Sequence, residues 1–387
     1  MRHGAEQIFA RRQADASTFG AAYSAWRPMQ TQRRRRSRPP ILNQTDAIAI
    51  RRPDRKTRGM SMPPSRPASL KRCIAAACFT LSALSGQASA APVRNFLYAS
   101  AGDLRQIDAM IKRPEIEGVQ VVYNWKAIET SKGQYDFSQI EQDLHYLGGL
   151  NRKLFIQIQD RFFEPQARNV PAYLLQDPVY RGGLAPQYDN PGENRPVGNG
   201  WVALQWNGAV QERYQQLLAA LAKQFDGRVM GINLPETSVD LDMKRDKTGF
   251  NCDKYFDATL GNLDFARKAF HKSYVVQYVN FWPCEWNNDH RYMSRLFSFA
   301  SKNDIGLGGP DIVPWKKGQM KNSYPFFHQY KGKLALVAMA VQEPTLTYTN
   351  PKTRKPFTRG EFVDYAQDYL GADIIFWSTA APWLQEK

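Results

Sequence analysis

The sequence predicts an α/β protein with one folded domain, a (β/α)8 TIM barrel over residues 91–387 with a long loop after the third strand. Three observations carry that expectation. About 300 residues remain once an N-terminal leader is set aside, where a barrel of this kind typically needs around 250. Eight short apolar runs alternate with segments of helical hydrophobic spacing. The turn after the first run, Ser100-Ala101-Gly102-Asp103, is a poor match to the glycine-rich fingerprint of an open doubly wound sheet.

The apolar runs fall at 95–99, 118–123, 153–159, 229–234, 274–280, 306–312, 335–341 and 373–377. Each is mostly unbroken apolar or small, as suits a parallel strand covered by helices. Residues 138–150 place Ile140, Leu144 and Leu147 on one helical face, with Asp136 or Ser138 as N-cap. Residues 210–225 repeat Leu217, Leu218, Leu221 and Phe225 at helical spacing. A helix over 358–370 opens on Thr358, and Glu361 three positions later completes a capping box. The longest irregular stretch, 162–207, carries Tyr173, Tyr180, Tyr188, Trp201 and Trp206 among several Pro and Gly. Its aromatic content predicts an ordered lid or wall at the C-terminal face of the barrel; simple packing onto the barrel is the alternative.

Residues 1–90 are unlike the rest, with 17 Lys/Arg against 4 Asp/Glu. The remainder holds 35 basic and 32 acidic residues, so the whole-chain charge of +16 says little about the folded part. Lys71 and Arg72, the apolar run from Cys73 to Leu84, and the small-x-small ending Ala88-Ser89-Ala90 form a secretory signal, expected over residues 60–90 with cleavage near Ala90. The apolar run is too short for a stable membrane anchor. Export to the periplasm or the medium is the consequence. The basic extension 1–59, with Arg33-Arg34-Arg35-Arg36, shows no hydrophobic period and is expected to be disordered, with translation starting at Met60 or Met62. A nucleic-acid arm is the rival reading of that charge; the expectation here is no nucleic-acid partner.

Working residues of such a barrel lie at or just after the C-terminal ends of strands. That rule leaves Asp160, Glu236, Asp240, Glu285, Asp311 and Glu343. Glu236, in Leu234-Pro235-Glu236-Thr237, follows the fourth run, and Glu343, in Val341-Gln342-Glu343-Pro344, follows the seventh. A charge there has no packing use, and each has a proline beside it that stiffens the turn. Strands four and seven stand on opposed sides of an eight-strand ring, so the two carboxylates face each other across the mouth. Cleavage of a glycosidic bond needs such a pair, one carboxyl protonating the leaving oxygen and the other attacking or activating water.

Val121-Val122-Tyr123-Asn124-Trp125-Lys126-Ala127-Ile128-Glu129 followed by Lys132-Gly133-Gln134-Tyr135-Asp136-Phe137 resembles the second-strand signature of clan A glycoside hydrolases. The resemblance covers the layout of nearly the whole chain after the leader. It implies Glu236 as general acid/base, Glu343 as nucleophile, and Trp377, after strand eight, as the aromatic beneath the sugar. The clan commonly has Asn just before its acid/base Glu. Here that position is Pro235 and Asn233 lies three residues back, so the exact family does not follow.

The expected activity is a retaining O-glycosidase acting on an oligo- or polysaccharide, with a carbohydrate-binding barrel that has lost catalysis as the alternative. Trp125, Trp282, Trp286, Trp315 and Tyr278 lie at or after strand ends, where aromatic faces stack on sugar rings or simply pack the core. Gln159 and Asp160 at the end of strand three, and Asp311 after strand six, are candidates to bond sugar hydroxyls. Cys252 and Cys284 lack the clustered spacing of a zinc site, and in an oxidising compartment they pair as a disulfide. No His pair has metal-ligand spacing, and neither metal nor cofactor is called for.

Overall fold

A computed structural model describes residues 92–189 and 197–386. The expected basic extension, signal segment and cleavage site lie outside the described residues. Eight parallel strands close into a barrel: β1 (Arg94–Ser100), β2 (Ile116–Asn124), β3 (Lys153–Gln159), β4 (Gly231–Leu234), β5 (Tyr274–Tyr278), β6 (Gly306–Gly309), β7 (Val337–Val341) and β8 (Ile374–Ser378). Each pairs with its sequence neighbours, and β8 returns to β1 with Arg94 opposite Ile374 and Leu97 opposite Trp377. All eight predicted runs are barrel strands. β6 is shorter than expected, stopping at Gly309 before Pro310, which has no N–H to continue a ladder.

Alternation along each strand sorts the side chains into two cores. Phe96, Phe155, Val276, Tyr278, Ala338, Ala340, Ile374 and Phe376 pack together inside the barrel. Their chain neighbours, among them Leu97, Ile156, Val275, Val337, Met339, Ile375 and Trp377, join the larger core between barrel and helices. Room for the interior rings comes from glycines on the neighbouring strands. A Cβ on Gly118 would stand 2.5 Å from the Phe96 ring, and one on Gly231 would stand 2.6 Å from Phe155.

The outer helices include α1 (Ser138–Gly149), α2 (Gly208–Phe225), α3 (Cys252–Ala269), α4 (Tyr292–Lys302) and α5 (Arg359–Asp364). Asp136 accepts the Ser138 N–H ahead of α1. Asn207 caps α2 by accepting from Ala209 and Val210. The predicted capping box is present at α5, where Thr358 accepts the Glu361 N–H and Glu361 accepts the Thr358 N–H. The predicted 358–370 helix widens to a π-turn over Tyr365–Leu370 and stops at Gly371, whose φ of 69° ends the right-handed run.

The segment after β3 is more regular than its sequence suggests. Arg161–Phe162, Leu184–Asp189 and Val197–Ala203 form a three-stranded antiparallel sheet, and Ala172–Gln176 is a short helix. Of its aromatics, Tyr180 and Trp206 are buried, with Trp206 edge-on to Phe250 and Tyr255. Trp201 is half-buried, its Nε1 donating to the Pro165 carbonyl at 2.9 Å while the Arg168 guanidinium covers the ring.

Candidate active site

The turn carrying Glu236 leaves β4 and is fastened to the strand-five side. Gln277 Nε2 donates to the Pro235 carbonyl. Thr237 N–H donates to the Tyr278 carbonyl at 3.1 Å, and Thr237 Oγ1 donates to the Phe281 carbonyl at 2.9 Å. Tyr255 OH donates to the Thr237 carbonyl, and Arg161 to that of Ser238. Glu236 itself is only 7% exposed, and Asn280 Nδ2 reaches its Oε2 at 3.5 Å. So many fixed backbone groups leave this carboxylate little freedom of position.

Glu343 begins the short helix Glu343–Leu346, directly beyond β7. Two neighbours hold it. Ser378 Oγ, at the inward end of β8, donates to Glu343 Oε1 and accepts the Ala380 N–H at 3.0 Å. Thr345 Oγ1, on the same turn, donates to the buried Asp311 Oδ1 at 2.8 Å.

Tyr98 points inward from β1, and burial, then the charge of Glu343, then that of Glu236 push its ionisation far above the ordinary phenol range. Tyr98, Gln157, Gln159, Arg161, Glu236, Tyr278 and Gln342 line a single pocket at the C-terminal ends of the strands. Arg161 is buried beside it and donates to Asp160 Oδ1 at 3.1 Å. Burial opposes the Arg161 charge, but Asp160, Tyr255 and Glu236 outweigh it and hold the guanidinium protonated. Asp160 is held again by Gln205 Nε2 at 3.0 Å. At the pocket base Gln157 gives its Nε2 to Gln159, while its Oε1 is buried without a protein hydrogen-bond partner.

The structure therefore brings Glu236, Gln159 and Tyr278 to one pocket, with Asp160 behind it and Glu343 beside Gln342 at its rim. Tyr278 lies at the bottom, its hydroxyl tied to Gln120. Asp311 is set back under the Glu343 turn, where burial raises its ionisation above the ordinary aspartate value. Cys252 and Cys284 are disulfide-bonded, their Cα atoms 6.3 Å apart.

Three expected sugar contacts are corrected. Trp377 faces the helical layer, edge-on to Phe362 and Trp383, with Nε1 donating to Asn95. Strand parity is the reason: Ile374 and Phe376 point inward, so Ser378 does too and Trp377 cannot. Trp282 is buried among Tyr255, Phe256 and Tyr292. Trp125 is fully buried beside Tyr214, and its Nε1 donates to Glu129 Oε2 at 2.8 Å.

That last bond accounts for the second-strand signature. Glu129 Oε1 accepts from Gly133 N–H at 2.8 Å, from Tyr173 OH at 3.0 Å and from Arg213. Gly133, at φ 75°, turns the hairpin of Glu129–Ser131 and Gln134–Tyr135, and Tyr135 stacks on Phe137. Trp125 and Glu129 thus form a buried brace, and the Lys-Gly-x-Tyr-Asp-Phe run is the largely exposed hairpin tied to it through Gly133. Sequence reasoning missed Tyr98, Gln342 and Asn280. The strand-end rule that found the acids reaches all three once inward parity is applied.

Among the described residues no group of three or more His, Cys, Asp and Glu is placed to hold a metal ion, and no helix is long and apolar enough to cross a membrane. No protein-family model matches the chain, and no curated protein matches it by sequence. Solved structures match it in fold. The catalytic domain of the β-amylase from Paenibacillus polymyxa aligns with a TM-score of 0.50 and 9% identity, over 74% of this chain and 93% of that one. The β-galactosidase from Rahnella sp. R3 aligns at 0.48 and 13% identity over 75% of this chain, which spans about half of that longer one (51%). A thermostable xylanase mutant from Cellvibrio japonicus aligns at 0.43 and 11% identity, over 74% and 86% of the two chains. The chain has the eight-stranded parallel barrel found in clan A glycoside hydrolases, with the exact family unassigned.

Proposed function

We propose that this chain is a secreted or periplasmic O-glycosidase that cleaves an oligo- or polysaccharide by a retaining mechanism. The observation that carries the proposal is the pocket at the strand ends, lined by Tyr98, Glu236 and Gln342, with Glu343 the next residue after Gln342. One carboxylate after strand four in that pocket and a second after strand seven beside it are what glycosidic cleavage requires.

In the first step protonated Glu236 gives its proton to the leaving glycosidic oxygen as Glu343 attacks the anomeric carbon. The C–O bond to the leaving group breaks, and a glycosyl ester to Glu343 forms. In the second step Glu236, now a carboxylate, takes a proton from water as the water oxygen attacks the same carbon and displaces Glu343. Ser378 occupies Glu343 Oε1, which leaves Oε2 for attack. Gln157 Oε1 is an acceptor whose buried, unpartnered state favours a sugar hydroxyl in contact. The leader, with its signal-like ending, supports export.

The test is hydrolysis of a polysaccharide panel by wild type, Glu236→Gln and Glu343→Gln, with the anomer of the first product read by NMR. Each substitution is expected to lower kcat by ~10³-fold or more. Variants that keep the wild-type rate on a cleaved substrate would sink the assignment. Binding without hydrolysis by wild type would point instead to a carbohydrate-binding barrel, and an inverted product would remove the retaining mechanism.

A further inference from the structure

An open groove of about 540 Å³ lies apart from the carboxylate pocket, between the segments that follow β5 and β6. Trp315, Met320 and Phe326 give it apolar walls, and Asn287, Lys317 and Lys321 its polar ones. Trp315 is 53% exposed although Tyr365 and Tyr369 press on it at 4.9 and 5.5 Å, so the indole is both fixed and open. Trp286, 41% exposed, lies under the Lys321 ammonium at 4.9 Å from its centroid. With Met320 and Phe326, Trp315 makes a contiguous apolar surface of the kind that marks ligand grooves, and a flat ring matches the C–H face of a sugar.

Charge narrows the ligand. No Asp or Glu lines the groove, and neither Lys317 nor Lys321 forms an ion pair among the described residues. The nearby acids on the β5 segment are turned elsewhere. Glu285 accepts the N–H groups of Tyr292 and Met293, and Asp289 accepts the Trp286 N–H and pairs with His290. Two cations are thus left facing a groove floored by aromatic rings. A hydrogen-bond chain links one wall of the groove to the carboxylate pocket. On the groove-wall helix Lys317–Asn322, Gln319 Nε2 donates to Asn280 Oδ1 at 2.8 Å, and Asn280 donates in turn to Glu236.

We propose that this groove is a distal subsite for an acidic glycan, in which a uronate ring stacks on Trp315 and sets its carboxylate between Lys317 and Lys321. The same chain then continues over Glu236 and Glu343, a step that rests on the glycosidase reading above. Complementary charge of this kind discriminates among glycans more than it adds raw affinity.

Calorimetry on the full chain carrying Glu343→Gln tests it without turnover. The probes are oligogalacturonate, cello-oligosaccharide and a sulfated galactan oligosaccharide, all of about six rings. Oligogalacturonate is expected to bind about tenfold more tightly than the neutral chain, with the gap closing at high salt. Adding Lys317→Gln and Lys321→Gln, surface changes that leave the fold intact, removes that advantage. Equal affinity for the neutral chain, affinity unaffected by the lysine changes, or no binding of oligogalacturonate overturns the subsite. Sulfated chains binding as tightly as uronate overturn the carboxylate assignment. Lysine-dependent binding by a wild-type protein that hydrolyses none of the probes supports the groove while removing the glycosidase reading, so the two fail separately.

Discussion

Replacing Glu129 with Gln tests the claim that the second-strand signature is a structural brace. All four groups on this carboxylate are donors: Trp125 Nε1, Gly133 N–H, Tyr173 OH and Arg213. An amide of the same shape must turn its NH2 toward either Trp125 or the other three, so a donor meets a donor in both orientations. Arg213, 7% exposed, also loses its counter-charge. Breaking a buried ion pair from one side costs about 3–5 kcal/mol. The lower end applies, because Tyr173 and Gln216 still accept from Arg213 and the amide oxygen keeps part of the network.

The expectation is therefore a loss of about 3 kcal/mol, read as a lower urea midpoint at unchanged m by tryptophan fluorescence. The rate per folded molecule stays near wild type, since Glu129 touches no pocket residue. The double change Glu129→Leu with Arg213→Met is expected to cost less than Glu129→Gln alone, because it leaves no buried charge unpaired. A loss below about 1 kcal/mol for Glu129→Gln, well under the buried-pair range, refutes the reasoning.

Three other perturbations follow. Ser378→Ala removes the hydroxyl on Glu343 Oε1 and is expected to lower kcat/KM about tenfold with little change in thermal midpoint; an unchanged rate would show that the contact is idle. Replacing Cys252 and Cys284 by Ser opens a link across 32 residues and is expected to cost about 3.7 kcal/mol on the loop-entropy relation, measured by urea unfolding with and without reductant. Asp311 has its ionisation raised by burial from the ordinary 3.8, so the folded chain holds that proton more tightly than the unfolded chain. Its contribution is fully present below the unfolded value and is lost as pH rises. Asp311→Asn keeps an acceptor for Thr345 and does not titrate, so its stability relative to wild type should climb as pH rises from about 4; a flat difference counts against the burial argument.

Strand identity was legible because a parallel strand covered by helices is apolar on both faces, and a run such as Ala335-Leu336-Val337-Ala338-Met339-Ala340-Val341 has few other homes. That same uniformity hides which face is which. In Ile374-Ile375-Phe376-Trp377-Ser378 nothing local says whether odd or even positions look inward, and the choice of Trp377 as the ring beneath the sugar went to the wrong face. Interior size supplies the missing signal: Gly118, Gly231, Gly306 and Gly308 mark inward positions, and register carries that parity around the ring. Trp125 and Trp282 were hidden for another reason. A strand-end indole serves a sugar or a core equally well, and their partners Glu129 and Phe256 are chosen by tertiary packing. The sheet within 162–207 was missed because its pairing is long-range, with Gln187 opposite Gly200.

Pro235 ties these points to the site. The clan's usual Asn before the acid brings an amide to the reacting sugar from strand four; Pro235 has no such group. In its place the strand-five side supplies amides, with Gln277 holding the Pro235 carbonyl and Asn280 Nδ2 reaching Glu236 while Gln319 fixes its Oδ1. Proline suits this arrangement, since its missing N–H leaves no donor to satisfy in a turn whose carbonyls are already taken by Gln277, Tyr255 and Arg161. Asn233, the apparent substitute three residues upstream, instead gives its Nδ2 to the Leu234 carbonyl inside the barrel. The amides near Glu236 thus come from the strand-five side, and a motif read along a single strand has no means of finding them there.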